Sequence, residues 1–455
     1  MERNESAILT TDKSSRPNKI GRERLSQREK QAFEDAKRLL PGGALGGNAL
    51  AEKSKFVFSH GKGSRFWDTS NNEYIDYVLG SGTFFLGHSH PSIEKAVKDQ
   101  IGHGAHFFAY LNELALDLAL RLEKIIPCAE KMRFTTSGSD ATFHAIRLAR
   151  AFKKRERIVK FEGAYHGGHD YVQMSTTPKN PVNFPNGLPD TSGIPKAVRE
   201  LALICPYNDP SALEDLFKNY SGEIAAVIIE PIQRIIYPHD NFLQKVRDLC
   251  TKYRVLMILD EVVTGFRLGL GGAQEFFSIK PDLATYAKIL GGGLPVGLVA
   301  GRADIMDQAN PSNKGQPDYV YQNGTLQGHM LGCAAGMATL DVLEEDSRLY
   351  EKTFSMAEKL KEGLRKIFFD EGLNVLVFGE GPMWHMLFTE TEPTNWRELL
   401  LADAKKMSLF EAELLHQGIF VLPGNRRFIS IKHSEDDLEA TFEATKRACK
   451  ALKKT

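Results

Sequence analysis

An α/β fold, with a mostly parallel sheet completed by a smaller α+β domain, is predicted from three observations. Between about Gly80 and Thr325, short apolar runs alternate with amphipathic helical patterns, as repeated βαβ units do. The run Val255-Leu256-Met257-Ile258-Leu259 is apolar throughout, which suits a strand buried on both faces. After Leu331 the alternation stops, and a long helical pattern leads to short strand candidates and a closing helix.

Taken in order, residues 1–27 are rich in Ser, Asn, Lys, Arg and Glu and read as a mobile arm. Helical spacing runs from Glu29 to Leu40 and is stopped by Pro41-Gly42-Gly43. Phe56 to Tyr77 reads as short strands around the turns Gly61-Lys62-Gly63 and Ser70-Asn71-Asn72. In the alternating region the strand candidates are Met132–Thr136, Ile158–Phe161, Ile224–Ile229, Val255–Leu259 and Gly297–Ala300. Helices are expected over Asn112–Lys124, Ala141–Lys153, Pro210–Lys218 and Phe242–Tyr253. A single long helix is expected from Leu331 to Ile367, then strands over Val375–Val377, Met383–Phe388, Ile419–Val421 and Phe428–Ile431, and a helix over Asp436–Leu452. The implied division is an arm over 1–27, a segment 28–79 joining the small domain, a large domain over 80–335 and a small domain over 336–455.

The 58 basic and 58 acidic residues cancel, which removes the bulk attraction of a general nucleic-acid binder. No apolar run approaches the roughly 20 residues that span a bilayer. The polar N-terminus lacks the apolar core of a signal peptide. Five scattered cysteines, odd in number and without CxxC spacing, argue against a disulfide framework or a zinc site and for a reducing, cytoplasmic location.

Asp260 closes the apolar run and would emerge at the C-terminal end of its strand, where parallel sheets place ligands. Lys288 follows 28 residues later, among Thr285-Tyr286-Ala287 and Ile289-Leu290, just before Gly291-Gly292-Gly293. A lysine in such surroundings loses solvation of its ammonium form and becomes a better nucleophile. The pair suits pyridoxal phosphate, whose aldehyde the amine bonds and whose pyridine nitrogen the acid keeps protonated. Singly, each has an ordinary reading as well, a buried ion pair or a strand-end acid.

Thr136-Ser137-Gly138-Ser139-Asp140 stands between a strand and a helix, and serves either as a plain N-cap or as a phosphate cradle. Gly163-Ala164-Tyr165-His166-Gly167 puts an aromatic ring beside glycines, where a planar group can stack. Glu230-Pro231-Ile232-Gln233 ends another strand as a turn or as a second acid in the same crevice. The histidine pairs His166/His169, His88/His90 and His103/His106 have no acid completing an open metal site, so no metal is expected. GxxxxGK[ST] does not occur, which disfavours a P-loop enzyme.

Five ordered motifs carry a resemblance: Arg133-Phe134-Thr135-Thr136-Ser137-Gly138-Ser139-Asp140-Ala141-Thr142, Lys160-Phe161-Glu162-Gly163-Ala164-Tyr165-His166-Gly167, Asp260-Glu261-Val262-Val263-Thr264-Gly265-Phe266-Arg267, Lys288-Ile289-Leu290-Gly291-Gly292-Gly293-Leu294-Pro295-Val296-Gly297 and Asn323-Gly324-Thr325-Leu326. The chain resembles class III (omega-type) pyridoxal-phosphate aminotransferases, and most closely their glutamate-1-semialdehyde aminomutase branch. The resemblance implies the type I aminotransferase fold and a homodimer. It also implies Lys288 as the lysine bonded to the aldehyde and Asp260 as the partner of the ring nitrogen. Tyr165 and Val262 would pack on the two ring faces, and Ser137, Gly138 and Ser139 would hold the phosphate. His166 and Glu230 would line the same site, and Thr325 would reach the phosphate of the neighbouring subunit.

The departures from that branch lie around the expected substrate. No arginine stands between Pro41 and Leu50, where the branch carries a carboxylate clamp. The stretch Ile232–Pro238 is short, and Gln327-Gly328-His329 replaces the usual Ser-Gly-Asn. Arg426 and Arg427 stand where the branch has an acidic gate, and read first as a solvated loop and second as a relocated carboxylate clamp. The expectation is amino-group transfer from a small amino donor to a ketone or aldehyde in two half-reactions, with a changed substrate. The aminomutase reaction is the second reading, and a catalytically idle sensor or scaffold the third.

Overall fold

The structure is a computed structural model that describes residues 20–22, 24–47, 55–108 and 110–454. Residues 1–19 of the expected arm and residues 48–54 of the loop without an arginine lie outside the described residues.

Three short strands come first: β1 (Phe58–Lys62), β2 (Arg65–Asp68) and β3 (Glu73–Asp76). The central sheet follows, with β4 (Lys131–Thr135), β5 (Arg157–Phe161), β6 (Ala202–Cys205), β7 (Ile224–Ile229), β8 (Leu256–Asp260), β9 (Leu283–Tyr286) and β10 (Gly297–Gly301) in the spatial order β4-β10-β9-β8-β7-β5-β6. The pairs among β5 to β9 are parallel, and only β10 runs against its neighbours. Successive residues of these strands enter opposite cores, as the pleat requires. Val227, Ile229, Met257 and Leu259 pack with Phe242, Leu243 and Val246 of the helix Phe242–Tyr253. Ala226, Ile228 and Ile258 pack with Ala141, Ala145 and Ile146 of the helix Gly138–Lys153 on the other face. The uninterrupted apolar runs are therefore strands covered on both sides, and the predicted mostly parallel α/β sheet is present.

Beyond it lie β11 (Leu376–Phe378), β12 (Met383–Leu387), β13 (Ile419–Phe420) and β14 (Arg427–Phe428). β11, β12 and β14 form one small sheet, while β13 joins β1, β2 and β3 by parallel pairing of Ile419 with Ile75 and Phe420 with Asp76.

Several elements differ from expectation. The long helix is two helices, Met330–Glu345 and Leu349–Asp370, because Asp346 turns the chain and its carboxylate takes the Arg348 amide at 2.9 Å. The strand expected over Phe428–Ile431 shrinks to two residues. Strands β6 and β9 and the helices Pro91–Ile101 and Ala404–His416 were not expected. Each of the two strands has only four residues, too few for periodicity to declare itself. After β3 the chain makes a left-handed turn with φ of 49° at Leu79, 61° at Gly80, 59° at Ser81 and 86° at Gly82. The Asp76 carboxylate anchors its entry by accepting from the amides of Val78 and Leu79. Among the described residues no helix is long and apolar enough to cross a membrane.

Candidate active site

β5, β7, β8 and β9 point their C-terminal ends at one cavity of about 190 Å³. A single buried water needs only about 10–15 Å³ on such a measure, so the space is sized for a small molecule. Its lining includes Ser137, Gly138, Ser139, Tyr165, His166, Glu230, Asp260, Val262 and Lys288. Every residue named from the sequence is thus in one place, except Thr325, which is exposed on the loop before the helix Met330–Glu345 and does not line this cavity.

Asp260 is the last residue of β8, in register with Thr285 of β9. Its Oδ1 accepts from Val262 N and Thr285 Oγ1, both at 3.1 Å, and its Oδ2 meets His166 Nδ1 at 2.7 Å. With the carboxylate accepting, His166 carries its hydrogen on Nδ1. The other ring nitrogen, Nε2, is buried and has no partner among the described residues.

Lys288 stands two residues beyond the end of β9 and opens the 3₁₀ turn Lys288–Gly291 at φ 47°. A lysine gains nothing locally from the left-handed region, and such strain clusters where function holds it. Burial, and then the cations Arg426 and Arg267, bring its amine down to about 7, against the pull of Asp260 and Glu230. About half of the amine is therefore uncharged at neutral pH, the form that attacks a carbonyl.

Ser137 is the N-cap of the helix Gly138–Lys153, its Oγ accepting from Asp140 N at 3.1 Å. The next amides, of Gly138 and Ser139, have no acceptor within the helix and stand at its positive end. The cap is present, and Gly138 and Ser139 line the cavity beside it. A Cβ on Gly138 would come within 2.9 Å of Val262, so a larger residue would block the approach of the two walls.

Tyr165 is 45% exposed, its ring turned to the open space rather than packed away. Its amide donates to Glu230 Oε2 at 3.0 Å, and Arg234 lies over its ring at 5.3 Å. The loop beneath it is clasped from far along the chain. Trp396 fills the space at Gly163, and Arg397 takes the Glu162 carboxylate with two bonds of 2.8 and 3.1 Å. Arg397 also donates to Val182 O and packs on Phe184.

The two C-terminal arginines correct the sequence reading of a solvated loop. Arg427 is fully buried, bonded to Glu411 and to His385 Nδ1. The Arg426 side chain is 10% exposed, lines the cavity and pairs with Glu230 Oε1 at 2.8 Å. The loop is drawn inward because these guanidiniums find buried carboxylates. Burial alone would raise Glu230, but Arg426 and Arg234, with His166, hold it below its ordinary value. Arg234, Arg267, Trp396 and Arg397 were not named as site residues, since no local pattern ties them to Tyr165 or Lys288. His329 also acquires a place: it caps the helix Met330–Glu345 through Nδ1 and meets Pro295 O through Nε2.

These groups suit pyridoxal phosphate. Unsatisfied amides await a phosphate, a strand-end carboxylate awaits a ring nitrogen, and an uncharged amine awaits an aldehyde. Among the described residues no group of three or more His, Cys, Asp or Glu is placed to hold a metal. Fold and site together define a pyridoxal-phosphate enzyme of type I fold.

The family model for class-III aminotransferases matches residues 48–434, and the chain belongs to that family. It is 37% identical over 439 residues to the glutamate-1-semialdehyde 2,1-aminomutase of Thermodesulfovibrio yellowstonii, covering 93% of this chain and 99% of that one. It is 39% identical to the aminomutase of the same name from Sorangium cellulosum, covering 93% and 96%. Among solved structures, an omega-transaminase from Sphaerobacter thermophilus superposes with a TM-score of 0.88 at 30% identity, covering 93% of this chain and 98% of that one. The relatives' names favour the aminomutase reading over the transfer between separate molecules that the sequence put first.

Proposed function

We propose that this enzyme moves an amino group on a small carboxylate-bearing molecule, and that glutamate-1-semialdehyde is the first substrate to test. The substrate is suggested by what the relatives of 37 and 39% identity are named for. The observation that carries the wider reading is the pairing of a buried, strained and easily deprotonated Lys288 with a strand-end Asp260 in one cavity. Pyridoxal phosphate supplies an aldehyde that bonds amines and a cationic ring that accepts an electron pair. Lys288 Nζ would take the proton from the substrate carbon that bears nitrogen and deliver it to the carbon on the other side of that nitrogen. Asp260, oriented by Val262, Thr285 and His166, keeps the proton on the ring nitrogen. Arg426, bonded to Glu230 Oε1 in the cavity wall, offers a guanidinium that a substrate anion would share.

A second reading, transfer between separate donor and acceptor molecules, is favoured by that Arg426–Glu230 pair and by the absence of an arginine between Pro41 and Leu50. We also propose a homodimer, supported by the exposed apolar side chains Phe107, Phe108, Tyr110, Leu111, Tyr321 and Leu326. Bonds from Met330 N to Ala105 O and from Asn112 to Gly328 O tie their two segments together beside Thr325. A cytoplasmic location is supported by five cysteines that are all free and buried.

The test is to incubate the cofactor-loaded protein with glutamate-1-semialdehyde and follow isomerisation of its amino group, then to scan amino donors for loss of the visible absorbance. Isomerisation supports the first reading. Bleaching by donors without isomerisation supports the second. A spectrum unmoved by either would leave only the idle scaffold.

A further inference from the structure

Arg267 is fully buried, and no carboxylate among the described residues pairs with it. Its Nε donates to Val263 O at 2.9 Å and its Nη2 to Gly82 O, the last residue of the left-handed turn, while Nη1 has no partner among the described residues. The rings of Phe428 and Phe85 pack on it, 4.6 and 5.6 Å from Cζ. A guanidinium kept this way is costly, and an apolar residue of similar volume is commonly as stable or more so. Its retention therefore calls for a use.

Its surroundings supply one. Val263, which Arg267 holds, lines the same cavity as Lys288. The charged groups that bear on Lys288 are Arg426 from the segment before β14, Asp260 and Glu230 from the strand ends, and Arg267 itself. His166 and Tyr165 stand on the loop after β5, and Arg234 on the turn after β7. Asp260 is matched by His166, and Arg426 by Glu230. Arg267 is bonded to two backbone carbonyls and, among the described residues, to no such carboxylate.

We propose that Arg267 is a positioning residue for the reaction: a fixed buried positive charge that biases the Lys288 amine toward its uncharged, nucleophilic form. This rests on Lys288 being the reacting amine, and goes beyond that reading by naming what holds it ready. Burial is the larger influence on that amine, with Arg426 and Arg267 next, and burial in turn brings Arg267 itself down to about 9. The two backbone carbonyls and the aromatic rings hold the charge in place, so it cannot swing away to solvent.

The experiment reads the amine itself, in cofactor-free protein. Trace labelling with acetic anhydride across pH 5–11, quantified by mass spectrometry of the peptide bearing Lys288, gives the midpoint at which the amine becomes reactive. Arg267→Gln and Arg267→Met should raise that midpoint by about half a pH unit or more, with labelling at pH 7 lower by about twofold or more. Arg267→Lys should stay near wild type. Thermal melting should find the Met variant about as stable as wild type, as expected for a costly buried charge and unlike a purely structural residue. Unchanged midpoints in the Gln and Met variants overturn the proposal, and so does failure of both to fold. A wild-type Lys288 that labels only near the midpoint of surface lysines would instead remove the assignment of Lys288, a distinct failure.

Discussion

At the residue scale, the site depends on the state of one amine. Lys288→Ala should abolish the visible absorbance that develops on adding pyridoxal phosphate and lower turnover by at least about 10³-fold. Spectrophotometry and a single-turnover assay check both, and a coloured, active variant would refute the assignment. The sign of the pH dependence follows from a value lowered to about 7. Below it the amine is protonated and unreactive, and above it free. Capture of cofactor by the cofactor-free protein should therefore quicken about tenfold per pH unit up to 7 and then level off, as stopped-flow absorbance would show. The same shift bears on stability. Between about 7 and the ordinary lysine value near 10.4, the unfolded chain binds a proton that the folded chain does not. The contribution of this group thus rises with pH across that window and is smallest below it. Asp260 and Lys288 were legible as residues because a charged side chain closing or interrupting an apolar run stands out. Arg426 was not, since the sequence shows an arginine but not the Glu230 carboxylate that draws it inward.

At the element scale, the central strands were legible wherever they ran five residues or more without a polar break, as in Ile224–Ile229. β9 was not, although it delivers Lys288, because Leu-Ala-Thr-Tyr is too short and mixed to announce a strand. The clasp on the Tyr165 loop was equally hidden, since Trp396 and Arg397 lie more than 230 residues from the glycine and acid they hold. Gly163 sits at φ 90° with Trp396 only 2.6 Å from where a Cβ would stand. Gly163→Ala should cost about 2 kcal/mol or more through backbone strain and overpacking together. Chemical denaturation measures that loss, and a gel-filtration assay of bound cofactor should show faster release as the Tyr165 loop loosens. A variant as stable and retentive as wild type would mean that the clasp holds nothing.

For the whole molecule, the apolar side chains left on one face argue for a second copy over them. Tyr110 and Leu111 are 74% and 82% exposed, and Tyr321 and Leu326 lie beside Thr325. Leu111→Asp should shift the protein from dimer to monomer in sedimentation velocity, and cofactor retention should fall with it if Thr325 of the neighbour completes the phosphate site. A dimer unaffected by that charge would move the interface elsewhere.

The parallel pairing of β3 with β13 has a consequence for how the chain comes to be folded. Residues 73–76 leave the ribosome more than 340 residues before their partners at 419–420. Ile20 and Gly21 pair with the Glu73 end, but throughout that interval the Ile75–Asp76 end of β3 lacks its partner, an edge open to adventitious strands from other chains. Interrupted synthesis products ending short of Ile419 should consequently be the aggregation-prone species, whereas the complete chain closes that edge by itself.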